Sequence, residues 1–452
     1  MFRPRQMIVV AAIASVAIAG TAGPTQARSA HGGAGRGDVP RQPATAVLDW
    51  NATAVATVRA ATPAKFQLES DLYMAYVQAS VYDAVVKIAG RYQPYHDFTS
   101  PVSPEGASLP AAVAAAAYTA LAYYFPPQQA ALQATYTTYL AGLSTDGQAA
   151  GVAIGQAAAN DIIAERTGDG RDALISTPYG TGPLTPGLWV FAPPPSLQSA
   201  QIPWVAFMRP FMLETPSQFR VEPPPSLTSS RYTRDLNEVQ AYGSATSTVR
   251  TPEQTAVAQF WNAFATNQTN AMITGVVSTH AMDAVDAARA FAIANKVDTD
   301  AGIACWDSKY HYQLWRPVTA IQHADIDNNP NTTADVSWTP LLTTPNHPEY
   351  PAAHGCITGA ESDELTAILH TRDIQVDIPG ATAGLTTLTT TRHYATARDL
   401  RREIINARVW AGLHYRNSGQ VGVQLGRTVA HYALDHYFQP TQHHNHHHHD
   451  DD

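Results

Sequence analysis

Three short segments in the C-terminal half of the chain carry basic residues at fixed spacing: Lys309 with Arg316 and Pro317, Pro351 to His354, and Arg408 with His414. Together they offer two guanidinium groups, one ammonium and two imidazoles. That set suits a tetrahedral oxyanion such as phosphate or vanadate. Arginine forks match its oxygens bidentately, and lysine adds a compact charge. One imidazole can bond the central atom through a ring nitrogen, and the other can move a proton near neutral pH. The formal net charge is -9 with only 14% charged residues. A generally basic surface therefore does not explain the cluster, and non-specific nucleic-acid binding is disfavoured.

Spacing says how these residues are to be positioned. Lys309 and Arg316 are seven apart, two helical turns, so a helix would put them on one face until Pro317 disturbs it. Arg408 and His414 diverge by about 120° on an ideal helix, so they would converge through long side chains. His354 lies in the turn NHPEYPAAHG, which runs into a helix starting near Gly355. Such a helix start offers free backbone N–H groups and a positive dipole end. Taken singly each piece is weak, since a Lys and an Arg on a helix are usually solvated. The ordered set of three is more specific.

The chain of 452 residues is long enough for one large or two medium domains. Residues 1–27 fit a secretory signal, with Arg3 and Arg5 before the apolar run Met7 to Ala19 and a small-x-small site at Thr25 to Ala27. That run is short for a membrane span. The mature protein is expected to be soluble and secreted or periplasmic. Residues 28–44 read as a disordered linker. Helical patterning dominates 45–240 and 241–440, with helices expected over 66–90, 109–142 (broken at Pro126-Pro127), 147–166, 252–268, 271–296, 298–321, 355–370, 392–418 and 419–437. Prolines over 176–230 exclude long helices. There Trp189, Phe191, Trp204, Phe207 and Phe211 should pack as an ordered, irregular wrap. No period-2 strand stands out. The expected class is all-α, a helical bundle. The His- and Asp-rich tail, 441–452, is set aside from the site.

The segments KYHYQLWRP, PAAH and ARVWAGLHYR resemble the three signatures of the vanadium-dependent haloperoxidase and type 2 phosphatidic-acid-phosphatase superfamily. That pattern is Lys-x6-Arg-Pro, then Pro-Ser-Gly-His, then Ser-Arg-x5-His-x3-Asp. Lys309, Arg316 and Pro317 meet the first in full. Ala352 and Ala353 replace Ser and Gly in the second, and Ala407 and Ser418 replace Ser and Asp in the third. MAYVQASVYDAVVKIAGRYQPY and PGLWVFAPPP also resemble the soluble, exported bacterial haloperoxidase branch, so the likeness extends over most of 45–440.

The resemblance implies vanadate as cofactor, with His414 bonded to vanadium and Lys309, Arg316 and Arg408 neutralising its oxygens. The Ala353 N–H would stand for that of the usual glycine. His354 would be the acid–base residue for hydrogen peroxide, and Trp306 and His347 would flank the halide. The missing hydroxyl at Ala352 removes a hydrogen bond worth ~1.5–3 kcal/mol if buried and charge-assisted. Ser418 lacks the carboxylate that would orient His414. The implied activity is peroxide-dependent halide oxidation. The rivals are an acid phosphatase acting on phosphoesters through a phosphohistidine, and a lapsed site that only binds oxyanions. Oligomeric state stays open, a homo-oligomer included. If Cys305 and Cys356 flank one site, their sulfurs should be neighbours, as a disulfide or as two buried thiols.

Overall fold

The computed structural model describes residues 41–192, 199–262, 265–380 and 390–441. The expected signal and most of the expected linker, as well as the tail from 442, lie outside the described residues. Arg41 to Ala44, read as linker, are ordered: Pro43 pairs with Asp283 in a β-bridge and Ala44 is buried.

Among the described residues thirteen α-helices run in chain order: α1 Thr45–Arg59, α2 Gln67–Ala89, α3 Leu109–Tyr124, α4 Gln129–Ala141, α5 Gln148–Glu165, α6 Ser230–Gly243, α7 Pro252–Phe260, α8 Ala265–Thr279, α9 Ala284–Tyr312, α10 Pro317–Gln322, α11 Ala353–Leu369, α12 Ala397–Trp410 and α13 Arg416–His436. Their limits have local causes. Glu69 at the third position of α2 accepts from the Phe66 N–H, and Gly90 closes the helix in the left-handed region. Asp283 caps α9 by accepting from Val285 and Asp286. This cap, next to Ala281 at φ +46°, replaces the break expected near 297. The resulting α9 runs unbroken for 29 residues. Gln313, left-handed at φ +48°, ends α9 before Arg316, and Pro317 opens α10. Lys309 and Arg316 therefore sit on two elements, not on one helix face.

The expected helix 392–418 is also revised. Val376–Pro379 (β1) and Thr391–Tyr394 (β2) form an antiparallel pair, and Thr396 then caps α12. Four-residue strands are too short to show a period. Between α5 and α6 the described chain is irregular apart from a 3-10 turn at Pro203–Phe207. Trp189, Trp204 and Phe211 are buried there, but Phe207 is exposed.

α2 lies along α9 at the centre, and α8 packs on both, so the regions before and after 240 share one core. α11 crosses α13 at close range. A Cβ on Gly426 would overlap the Cys356 carbonyl, and one on Gly359 would strike Val423 backbone. The absence of side chains at these two points lets α11 and α13 meet backbone to backbone. Gly426→Ala gains about 1 kcal/mol of helix propensity but forces a backbone shift costing more, so a net loss of about 2 kcal/mol is expected. An unchanged urea midpoint would contradict this account of the crossing.

Candidate active site

α12 ends at Trp410, and the chain turns through Gly412 at φ +79° into Leu413, His414 and Tyr415 before α13 begins. Arg408 thus lies in the last turn of one helix and His414 in the loop after it. This resolves their awkward six-residue spacing. Ala352 occupies the N-cap of α11, which places Ala353 and His354 in its first turn. Ala353, His354, Arg408, His414, Trp306 and His347 all line one cavity of about 360 Å³. The Trp306 ring lies tilted against the His347 ring with centroids 4.9 Å apart, and Phe66 meets that ring edge-on at 6.3 Å.

Lys309 and Arg316 lie behind this lining, each fully engaged by hydrogen bonds. The Lys309 ammonium donates to the carbonyls of Pro348, Glu349 and Pro351 at 2.9, 2.9 and 2.5 Å. Arg316 donates through Nε to the His347 carbonyl and through Nη1 to the Leu413 carbonyl and His414 Nε2, while Nη2 faces the His347 ring. Burial lowers Lys309 to about 8 and Arg316 to about 10. Buried cations demand such partners. These two residues brace the 347–351 turn and supply positive charge from behind the cavity wall.

The main surprise is Glu349. Its Oε1 lies 2.9 Å from His414 Nδ1 and accepts from the Tyr415 N–H at 3.0 Å, while its Oε2 accepts from the Ser418 hydroxyl at 2.6 Å. The carboxylate that Ser418 lacks is thus delivered from the turn before α11, with Ser418 holding it. The sequence signal was an acid inside the second motif segment, two residues before Pro351, but nothing in the spacing tied it to His414. Arg316 Nη1, which can only donate, faces His414 Nε2 at 3.1 Å. The network therefore assigns the proton to Nδ1, on Glu349, and the lone pair to Nε2. Burial, then Arg316 and Lys309, hold His414 well below its ordinary value, so the ring is neutral. Burial pushes Glu349 up to about 7.

His354 is also held neutral, by burial and then by Arg408 and Lys309, and the Trp261 carbonyl accepts from its ring. The same carbonyl accepts from Arg408 Nη1 at 3.0 Å. Trp261 thereby aligns two motif residues, and sequence reasoning missed it. Arg408 is lowered to about 9 by burial and then by Arg316. The buried polar atoms of the lining that lack partners include His354 Nε2, Arg408 Nε and Trp306 Nε1. The Arg408 and Trp306 N–H donors and the His354 Nε2 acceptor on one cavity lining, beside the free N-terminus of α11, fit a tetrahedral oxyanion and a proton-transfer partner. Cys305 and Cys356 are buried, unbonded thiols in mutual contact next to this site.

Residues 289–443 match the family described as the VCPO second helical-bundle domain. The vanadium chloroperoxidase of Curvularia inaequalis is 24% identical over 243 residues, 44% of this chain and 39% of that protein, so the match spans well under half of the relative's length. The crystal structure of a bacterial vanadium-dependent iodoperoxidase superposes with TM-score 0.73 at 20% identity, covering 88% of this chain and 98% of that one. An apo bacterial vanadium-dependent chloroperoxidase gives 0.65 at 19% identity, covering 81% and 92%. The helical bundle expected from the sequence is the fold of these structures.

Glu349→Gln keeps the shape of the His414 partner but removes its charge. Orthovanadate affinity is expected to fall about 10- to 100-fold, the usual range for a residue that orients a ligand. Ser418→Ala should weaken it less. Titration calorimetry giving equal affinities for Glu349→Gln and the parent would remove Glu349 from this role.

Proposed function

We propose that this chain, whose residues 289–443 match the VCPO second helical-bundle domain, is a vanadate-dependent haloperoxidase of the vanadium haloperoxidase and type 2 phosphatidic-acid-phosphatase superfamily. It would use hydrogen peroxide to oxidise a halide. The observation that carries the reading is the convergence of unpartnered His354 Nε2 and Arg408 Nε with the His414 Nε2 lone pair on one cavity wall. His414 would hold vanadate through Nε2, with Glu349 fixing its tautomer. Arg408 and the Ala353 N–H would face the oxyanion, and Lys309 and Arg316 would offset its charge from behind. Bound vanadate supplies Lewis acidity toward peroxide without changing its own oxidation state.

The side chains around it then have separable tasks. His354, neutral and anchored on the Trp261 carbonyl, presents Nε2 as the acceptor for a proton from hydrogen peroxide. The Trp306 indole N–H and the neutral His347 ring offer a weakly polar berth for a halide. Action after export belongs to the same proposal. It is supported by the character of residues 1–27 and agrees with the finding that no described helix is long and apolar enough to cross a membrane.

One observation favours a second reading. Glu349 gives His414 the carboxylate partner that a phosphatase nucleophile uses, so the serine at 418 no longer counts against phosphoric-monoester hydrolysis. In that chemistry His414 Nε2 would attack phosphorus and His354 would protonate the leaving oxygen. The environment that keeps His354 unprotonated suits a proton acceptor better than a donor, which favours the peroxidase.

The test is bromination of monochlorodimedone by purified protein loaded with orthovanadate, given peroxide and bromide. Vanadate-dependent turnover is expected, abolished in His414→Ala and reduced about 10²- to 10⁴-fold in His354→Ala. No bromination, with hydrolysis of p-nitrophenyl phosphate that vanadate blocks, would replace the peroxidase by the phosphatase. Silence in both assays would leave an oxyanion-binding protein.

A further inference from the structure

The cavity has a second pole. Besides the basic residues its lining includes Asp71 on α2 and Glu361 on α11, each only 5% exposed. Behind them lie Asp298 on α9 and Glu364 on α11, each 1% exposed. Asp71 accepts from the Thr266 hydroxyl, and Glu361 accepts from Thr269 at 2.6 Å. Both oxygens of Glu364 and Oδ1 of Asp298 have no partner. Glu364 is the charged group that bears most on Asp298. The groups that shift these four acids are burial first, then one another, Asp363 and threonine hydroxyls; no basic side chain is among them.

Four carboxyl groups from three core helices, with no cation beside them, are costly unless protons or a bound cation compensate. Among the described residues no acid, His or Cys group has the spacing to hold a metal ion. An ammonium asks for less: it needs two acceptors and a path, and Asp71 and Glu361 reach the cavity. The same lining holds the aromatic and apolar side chains of Phe66, Trp261, Trp306 and Met272. Aromatic faces also attract an ammonium. The enclosed volume of about 360 Å³ suits a small organic molecule.

We propose that this acidic pole binds the ammonium group of an arylalkylamine whose ring lies between the aromatic walls. Resting on the haloperoxidase reading, this molecule is the halogen acceptor, held in the chamber where the halide is oxidised. The overall change balances as R–H + X⁻ + H2O2 + H⁺ → R–X + 2 H2O. The ring C–H bond breaks, the C–X bond forms, and peroxide is reduced as the halide is oxidised. The basic pole repels the ammonium, so the ligand enters with its charge toward Asp71 and its ring toward the oxidant.

Calorimetric titration of the exported chain with 2-phenylethylamine and with the neutral 2-phenylethanol tests this without any turnover. At about pH 8 the amine is charged and Asp71, raised to about 7, is ionised. The amine is expected to bind at least about tenfold more tightly than the alcohol. Asp71→Asn and Glu361→Gln, on different helices, should each remove most of that preference. Stabilisation of either variant against heat by orthovanadate would show that the cavity is still folded. Equal binding of amine and alcohol by the parent protein, binding of neither, or a preference that survives both substitutions would overturn the proposal. Failure of the monochlorodimedone assay would instead sink the peroxidase reading and leave the amine result standing.

Discussion

The Glu349 carboxylate is the joint on which this site depends. It sits in a turn whose carbonyls hold the Lys309 ammonium, and it receives hydrogen bonds from His414, the Tyr415 N–H and Ser418. Both ions are withdrawn from water, so each exerts a demand on its surroundings. Buried charges persist only where donors or acceptors surround them. The result couples three chain segments: the end of α9, the turn before α11 and the loop before α13. Displacing any one would leave a buried charge without its partner. The site is therefore pre-organised by electrostatic necessity before any oxyanion arrives.

Close packing provides the second constraint. The joint can form only if α11 and α13 approach to backbone contact. Glycines at 359 and 426 permit this where the facing atoms are main chain. Gly412, at φ +79° and packed against Gly243, then turns the chain so that His414 faces Arg316 instead of continuing α12. Local backbone freedom and tertiary charge pairing converge on one imidazole orientation.

These causes explain what the sequence could and could not tell. The helices at 67–89 and 148–165 were legible because period and end signals agreed, and Lys309, Arg316, His354, Arg408 and His414 stood out by their order. The single-face arrangement of Lys309 and Arg316 was misjudged, because a left-handed Gln313 ends α9 and no residue type announces it. Glu349 was passed over because the motif located a carboxylate at position 418. A hydrogen bond constrains where an oxygen lies in space, and two backbones can deliver it equally well. The Trp261 carbonyl had no side-chain signal at all. Asp71, Asp298, Glu361 and Glu364 share no motif and no spacing along the chain. Only the crossing of α2, α9 and α11 makes them a cluster.

Seen as charge distribution, the cavity is a dipole with an apolar middle. Lys309, Arg316 and Arg408 crowd one end, and burial lowers the proton affinity of all three. Burial raises the acidic end in the opposite sense. Each pole alone is destabilising for the fold, since like charges are pressed together in low dielectric. No ion pair among the described residues joins Lys309, Arg316 or Arg408 to Asp71, Asp298, Glu361 or Glu364. Such strain is retained where a ligand relieves it, and on the function proposed above an oxyanion would do so at the basic pole. The same logic requires a positive partner, or protons, at the acidic pole. Only the first would also orient an organic molecule toward the oxidising end, which links this polarity to selectivity.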